Sequence, residues 1–158
     1  MKPSFTRLSG IPQAFVLIAA SLAGSANAYA QQAPGWSGNW VLESVVVEQD
    51  GKKSEPFGPN PRGSLMLAPD GRFSVILLRA SLPKFAVNNR VKGTAEENQA
   101  VVQGSIAYFG RYTSSEADKT LNLHIDGSTF PNWDGDEQKR VVTVSGDELK
   151  IINPSAAV

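Results

Sequence analysis

The chain of 158 residues contains no cysteine and only one histidine, His124. Without thiols it forms no disulfide, so a protein of this size relies on its hydrophobic core alone. One histidine and scattered carboxylates do not provide ordinary zinc or iron ligation, and we expect no metal or other cofactor. The absence of a Gly-x-Ser-x-Gly elbow and of cysteine removes the common nucleophilic enzymes.

An excess of positive charge is also missing, because the chain has 15 basic and 15 acidic residues. Two of the basic residues, Lys2 and Arg7, lie among the first 30 residues, which contain no acid. The remainder therefore carries 13 basic against 15 acidic residues, a net charge of −2. Nucleic-acid binding requires clustered positive charge, so no nucleic-acid partner is expected.

Long apolar runs are absent except near the start of the chain, in "AFVLIAASLAG" at residues 14–24. A basic start, this run and the small residues of "ANAYA" predict a secretory signal peptide over residues 1–30, cleaved at Ala28 or Ala30. The run is shorter than the roughly 20 residues that span a bilayer, so an uncleaved anchor is the weaker alternative and no stable membrane insertion is expected after cleavage. The predicted location is secreted or periplasmic.

The remaining sequence alternates between short strands and turns. A tether at residues 31–35 precedes one domain at residues 36–153, and a tail follows at residues 154–158. Runs rich in branched and aromatic residues, separated by turns such as "PDG", predict seven or eight antiparallel strands in an all-β barrel or sandwich. In the first domain strand, alternation places Trp40, Leu42, Ser44 and Val46 on one face.

One segment has a different pattern. Thr94 followed by Glu97 is typical of a capping box, which predicts a single helix over about residues 95–104. Ala100 and Val101 are expected among its buried residues.

Three segments carry a resemblance when they are taken together: "PFGPNPRG", "AYFGRY" and "GSTFPNW". With their surroundings, over about residues 36–153, they resemble the lipocalin-like domain family of bacterial and fungal proteins. The resemblance implies a small antiparallel barrel with an internal cavity. Gly38-Asn39-Trp40 is similar to the Gly-x-Trp start of lipocalins, which implies that Trp40 packs across the closed end.

The first functional hypothesis is an exported barrel that binds one small, mostly apolar molecule. A barrel of about eight strands has room for side chains or one small ligand. Its expected lining is Phe73, Val75, Leu77, Tyr108, Tyr112, Phe130 and Trp133, with Arg62, His124 and Arg140 as polar contacts. For the aromatic pair beside Pro131, we expect Trp133 at the mouth and Phe130 in the core.

Two other hypotheses remain. In the first, His124 and Tyr108 are the proton-transfer pair of a cofactor-free isomerase or cyclase, which requires the Asn122, His124 and Asp126 face to point inward. In the second, the barrel is filled with side chains and serves as a structural or interaction module. The cavity volume and the direction of His124 distinguish these hypotheses. Several strands carry apolar residues on both faces, which a helix covering one side or a homodimer would explain.

The leader generates the first testable prediction. Protein recovered from outside the cytoplasm should begin near Gln31 or Tyr29, because signal peptidase cleaves after small residues such as those of "ANAYA". N-terminal sequencing or intact mass measures this directly. Recovery of protein that still carries residues 1–20 would contradict the predicted location.

Overall fold

Alternation of apolar and polar side chains explains the strands, and the strand from Arg72 to Leu78 shows it well. Phe73, Val75 and Leu77 are buried, whereas Ile76 is exposed. Such a period of two directs one face of the sheet to the core and the other to solvent.

The computed structural model describes residues 14–21, for the backbone only, and residues 35–154. Among these residues one α-helix and one short 3-10 turn, Pro131–Trp133, accompany the strands. The elements are β1 (Ala14–Ser21), β2 (Gly38–Gln49), β3 (Lys52–Ser54), β4 (Arg62–Leu67), β5 (Arg72–Leu78), α1 (Ala95–Gly104), β6 (Ser105–Ser115), β7 (Thr120–Ser128), β8 (Glu137–Ser145) and β9 (Glu148–Asn153).

The strands form one antiparallel sheet in the order β1-β9-β8-β7-β6-β5-β4-β2-β3. β1 also pairs with β2, which brings the two sides of the sheet together, and the short β3 only extends β2. Eight strands therefore curl into a barrel with one short helix, which confirms the predicted fold class.

β1 coincides with part of the apolar run that predicts the signal peptide. Its backbone pairs with β2 on one side and β9 on the other. The two cleavage positions, and the tether up to residue 34, lie outside the described residues. Cleavage and export therefore stay predictions.

One end of the barrel is sealed by aromatic side chains. Trp36 and Trp40 are buried, and the Trp40 indole N–H donates a hydrogen bond to the Trp36 carbonyl at 3.0 Å. The Tyr112 hydroxyl lies 2.8 Å from the Ala68 carbonyl, to which it donates, and 3.3 Å from the Ser37 hydroxyl. No fully buried side-chain nitrogen or oxygen of the described residues lacks a partner, as burial requires. Trp40 thus has the role that the resemblance implies.

The predicted face of β2 is wrong beyond Leu42. Trp40 and Leu42 are buried as expected, but the next buried residue is Val45, which is 1% exposed. The register against β1 shifts between Leu42 and Ser44, so Glu43 is an extra residue. Such a bulge reverses the alternation that follows it.

The helix has the predicted bounds and the predicted cap. The Glu97 N–H donates to the Thr94 hydroxyl at 3.2 Å, and the Glu97 carboxylate accepts from the Thr94 N–H at 2.9 Å. The Ala86 N–H, which donates to the Glu97 carboxylate at 2.8 Å, and the Thr94 N–H lower the pKa of Glu97, in that order of importance. Ala100 and Val101 are only half-buried, and Gly104 is the one buried residue of the helix. No helix in the described ranges is long and apolar enough to cross a membrane.

The sealed end generates a stability prediction. Trp40→Ala should lower the free energy of unfolding by about 3–5 kcal/mol, the range for deleting a buried large aromatic side chain. A denaturant melt measures the loss, and Ile76→Ala on the exposed face of β5 is the control. A loss below about 1 kcal/mol would show that Trp40 is not a packed plug.

Candidate ligand-binding cavity

The barrel encloses a cavity of about 830 Å³. Small-molecule sites usually measure roughly 300–1,000 Å³, so this volume suits one ligand. Its lining includes residues of α1 and of the β7–β8 connection, whereas Trp36 and Trp40 do not contribute. The cavity therefore opens at the end opposite the aromatic seal. The apolar walls consist of Phe57, Leu65, Leu67, Val75, Leu77, Ile106, Leu121, Leu123 and Ile151.

Four aromatic rings lead from the core to this mouth. Phe73 and Tyr108 have ring centroids 5.9 Å apart, and Tyr108 and Trp133 have centroids 5.5 Å apart. Trp133 and Phe130 follow at 5.5 Å, and each of the three pairs meets edge to face. Edge-to-face contact is the favoured arrangement of aromatic rings. The pair in the turn thus extends the aromatic core to the cavity entrance.

The expected roles of the two turn aromatics need one correction. Phe130, expected in the core, is 42% exposed, whereas Trp133 is half-buried and packs against the core. The 3-10 turn places the Trp133 ring against the Phe130 ring. The turn is held by a hydrogen bond from the backbone N–H of Trp133 to the backbone carbonyl of Phe130 at 3.1 Å. Both side chains line the cavity.

A polar cluster lies on the inner face of β8. Arg140 lines the cavity, and its guanidinium donates hydrogen bonds to the Lys139 carbonyl at 3.0 Å and to the Asn153 side-chain oxygen at 3.2 Å. It also donates to the Gln138 side-chain oxygen. The Tyr108 hydroxyl, which lines the same cavity, interacts electrostatically with the guanidinium. Burial raises the pKa of Tyr108, and the neighbouring cation opposes that rise. Burial also lowers the pKa of Arg140.

His124 lies on the outer face of β7, away from this cluster. Its neighbours Leu123 and Ile125 are buried, and the ring Nδ1 lies 2.7 Å from a Glu137 carboxylate oxygen. Nε2 lies 3.5 Å from the Asp126 carboxylate. These three side chains do not form a group that could hold a metal ion, and no such group occurs elsewhere in the described residues.

A glycine at the β6–β7 contact fixes the local register beside His124. A Cβ at Gly110 would lie 1.9 Å from the His124 carbonyl oxygen, so only glycine fits there. The pairing of the two strands shifts between Phe109 and Gly110. The close approach and the bulge occur together, as is common for strand glycines.

Comparison with known proteins agrees with this architecture. A model of the lipocalin-like domain family matches residues 37–157. The chain belongs to the lipocalin-like domain family. Its predicted family is therefore confirmed, and the match covers all strands from β2 onward.

One curated relative of this lipocalin-like chain is a protein of Aspergillus oryzae named 4'-hydroxy-3'-methoxypropiophenone carrier protein ppsC. The two are 33% identical over 89 residues, which is 51% of this chain and 80% of that protein. No solved structure matches the chain.

The lipocalin-like barrel brings only some of the predicted site residues together. Val75, Leu77, Tyr108, Phe130, Trp133 and Arg140 line the cavity. Phe73, Tyr112, His124 and Arg62 do not, for different reasons. Phe73 packs behind Tyr108, and the Tyr112 hydroxyl belongs to the sealed end. Arg62 is exposed, and among the described residues no ion pair links it to Glu55.

The placement of His124 corrects the geometry on which the acid–base hypothesis depends. The expected pair of His124 and Tyr108 is not formed inside the cavity, because the alternation of β7 turns the histidine outward. Sequence reasoning missed Gln138 and Asn153, which contact Arg140 inside the barrel. The sequence does contain an indication for Gln138. It alternates with Arg140 and the buried Val142 along β8, so the three side chains share one face of the strand.

The two faces of β7 generate the next prediction. His124→Ala should leave the affinity for a naphthalene-sulfonate probe within about twofold, because the ring is outside the cavity. Leu123→Ala, one position away on the inner face, should weaken binding. Fluorescence titration of both variants, at a temperature where each is folded, measures the difference. A large loss of affinity in His124→Ala alone would contradict the outward placement.

Proposed function

We propose that the protein is an exported carrier that binds one small, mostly apolar molecule inside its barrel. The cavity of about 830 Å³ is the observation that carries the proposal, because its walls are aliphatic and its mouth aromatic. Burial of apolar ligand surface contributes about 25 cal/mol per Å², so such walls can hold a small ligand without many polar contacts.

The relative from Aspergillus oryzae supports the same class of ligand. Its name describes a carrier of a hydroxylated, methoxylated aromatic ketone. In this chain, Tyr108, Phe130 and Trp133 offer aromatic edges and faces along the cavity. A planar aromatic ligand stacks favourably on such rings.

The two alternatives have less support. A filled barrel leaves no cavity of ligand size, so the volume found here disfavours a purely structural module. The isomerase hypothesis requires an acid–base pair in contact with the ligand. His124 instead faces Glu137 and Asp126 on the outer surface, so its partnership with Tyr108 is not assembled. Catalysis by that pair is therefore not part of the proposal.

Export carries a structural consequence. Cleavage after Ala28 or Ala30 removes β1, which pairs with β2 and β9. Unpaired strand edges attract other strands, so the mature barrel then has to join β2 to β9 directly or to pair with another chain. Homodimer formation, like export, stays a prediction. Native mass spectrometry of the exported protein from its own host tests export, ligand retention and oligomeric state in one measurement.

The mouth generates a prediction that separates binding from stability. Trp133→Ala should weaken the affinity for a naphthalene-sulfonate probe by about tenfold, because it removes an aromatic wall of the entrance. The free energy of unfolding should fall by only about 1–2 kcal/mol, since the indole is half-buried. Fluorescence titration and a denaturant melt measure the two effects.

Phe109→Ala is the matched control for that experiment. Phe109 is an aromatic residue on the outer face, 56% exposed, and does not line the cavity. Its removal should not change probe affinity. Unchanged affinity in a Trp133→Ala protein that has lost several kcal/mol of stability would contradict the mouth assignment, and a wild-type protein that binds no apolar probe would contradict the carrier function.

A further inference from the structure

The cavity lining includes a cationic side chain to which the proposed carrier function assigns no role. Arg140 lies in the middle of β8 opposite Leu121, and its side chain lines the cavity. The next inward residue, Val142, is completely buried. Arginine remains protonated in proteins, so a half-buried positive charge faces a cavity whose deeper walls are apolar.

Within the described part of the chain, the hydrogen-bond partners of this guanidinium are neutral. They are the Lys139 carbonyl and the side-chain oxygens of Gln138 and Asn153. Such partners satisfy N–H groups and fix the plane of the guanidinium, but they do not neutralise its charge. Burial of a charge is costly unless an opposite charge accompanies it.

No carboxylate of the described residues forms an ion pair with Arg140. Two acids lie at the cavity rim, Asp136 and Glu137, and both are exposed. Glu137 is directed outward to His124, at 2.7 Å. The rim also has a second cation, Lys139, so the charges near the entrance do not supply a counter-ion for Arg140.

We propose that Arg140 and the Tyr108 hydroxyl bind an anionic oxygen of the ligand, a carboxylate or an ionised phenol, on an aromatic body. The inference rests on the proposed carrier function and narrows its ligand class from apolar to aromatic acid. Charge-assisted hydrogen bonds are roughly twice as strong as neutral ones, and the guanidinium fork suits a carboxylate.

Tyr108 contributes in two ways. Its hydroxyl lines the same cavity as the guanidinium, and a phenolic O–H can donate to a ligand oxygen. Its ring contacts Trp133 edge to face, which joins the polar site to the aromatic mouth. A ligand with an acidic group at one end therefore places that group at Arg140 and its ring between Tyr108 and Trp133.

A matched pair of probes tests the assignment on the exported protein. 2-Naphthoate carries a carboxylate at neutral pH, and 2-acetonaphthone has the same ring with a neutral acetyl group. Wild-type protein should bind naphthoate at least about tenfold more tightly than the ketone, as a charge-assisted contact implies. Isothermal titration calorimetry gives both affinities.

Variants then assign the preference to one residue. Arg140→Met should weaken naphthoate binding by about tenfold or more and leave ketone binding within about twofold, whereas Arg140→Lys should keep part of the preference. Arg72→Met, an exposed arginine at the start of β5, is the control and should behave as wild type. If Arg62→Met, and not Arg140→Met, abolished the preference for naphthoate over the ketone, the anion would be assigned to Arg62 and the proposal would be overturned.

The remaining outcomes separate this inference from the carrier function. Equal wild-type affinity for the two probes, or a preference that survives in Arg140→Met, overturns the anionic site while the carrier function stands. Binding of neither probe removes both. Should Arg140→Met not fold, the wild-type preference and the Arg140→Gln variant decide in the same way.

Discussion

The hydrogen bond from the Trp40 indole to the Trp36 carbonyl allows this barrel to be closed at one end and open at the other. With the Tyr112 hydroxyl bonded to the Ala68 carbonyl, it lets three large aromatic side chains be buried without an unsatisfied polar atom. The burial of these rings contributes hydrophobic stabilisation at this end. The opposite half of the interior can then remain unfilled, which is the physical condition for a ligand cavity.

Local patterns predicted much of this fold, because they report local forces. The alternation of Phe73, Val75 and Leu77 follows from the strand backbone, and the capping box of Thr94 and Glu97 from the orphan N–H groups of a helix start. The bulge at Glu43 follows instead from pairing with a distant strand, so alternation beyond Leu42 misassigned the face. The same limit applies wherever register is set by the partner strand.

The sequence predicted the site less completely than the fold, because residues that point into a ligand cavity can be polar as well as apolar. His124 lies between Leu123 and Ile125, and Arg140 is followed by two valines, yet β7 turns the histidine outward and β8 turns the arginine inward. Only the burial of Leu123 and Val142 decides the direction. Pro131 restricts one backbone angle between Phe130 and Trp133 but does not fix the directions of their side chains. Those directions depend on the edge-to-face contacts of Trp133 with Tyr108 and with Phe130.

The neutral surroundings of Arg140 distinguish a binding group from a structural ion pair. A carboxylate of the chain beside the guanidinium would lower the cost of burial, but it would also occupy the position that a ligand anion needs. The amide oxygens of Gln138 and Asn153 hold the cation in place without competing for that position. If the ligand is anionic, as we propose, it supplies the charge that these neutral partners lack, and the electrostatic cost of the unpaired guanidinium is converted into affinity.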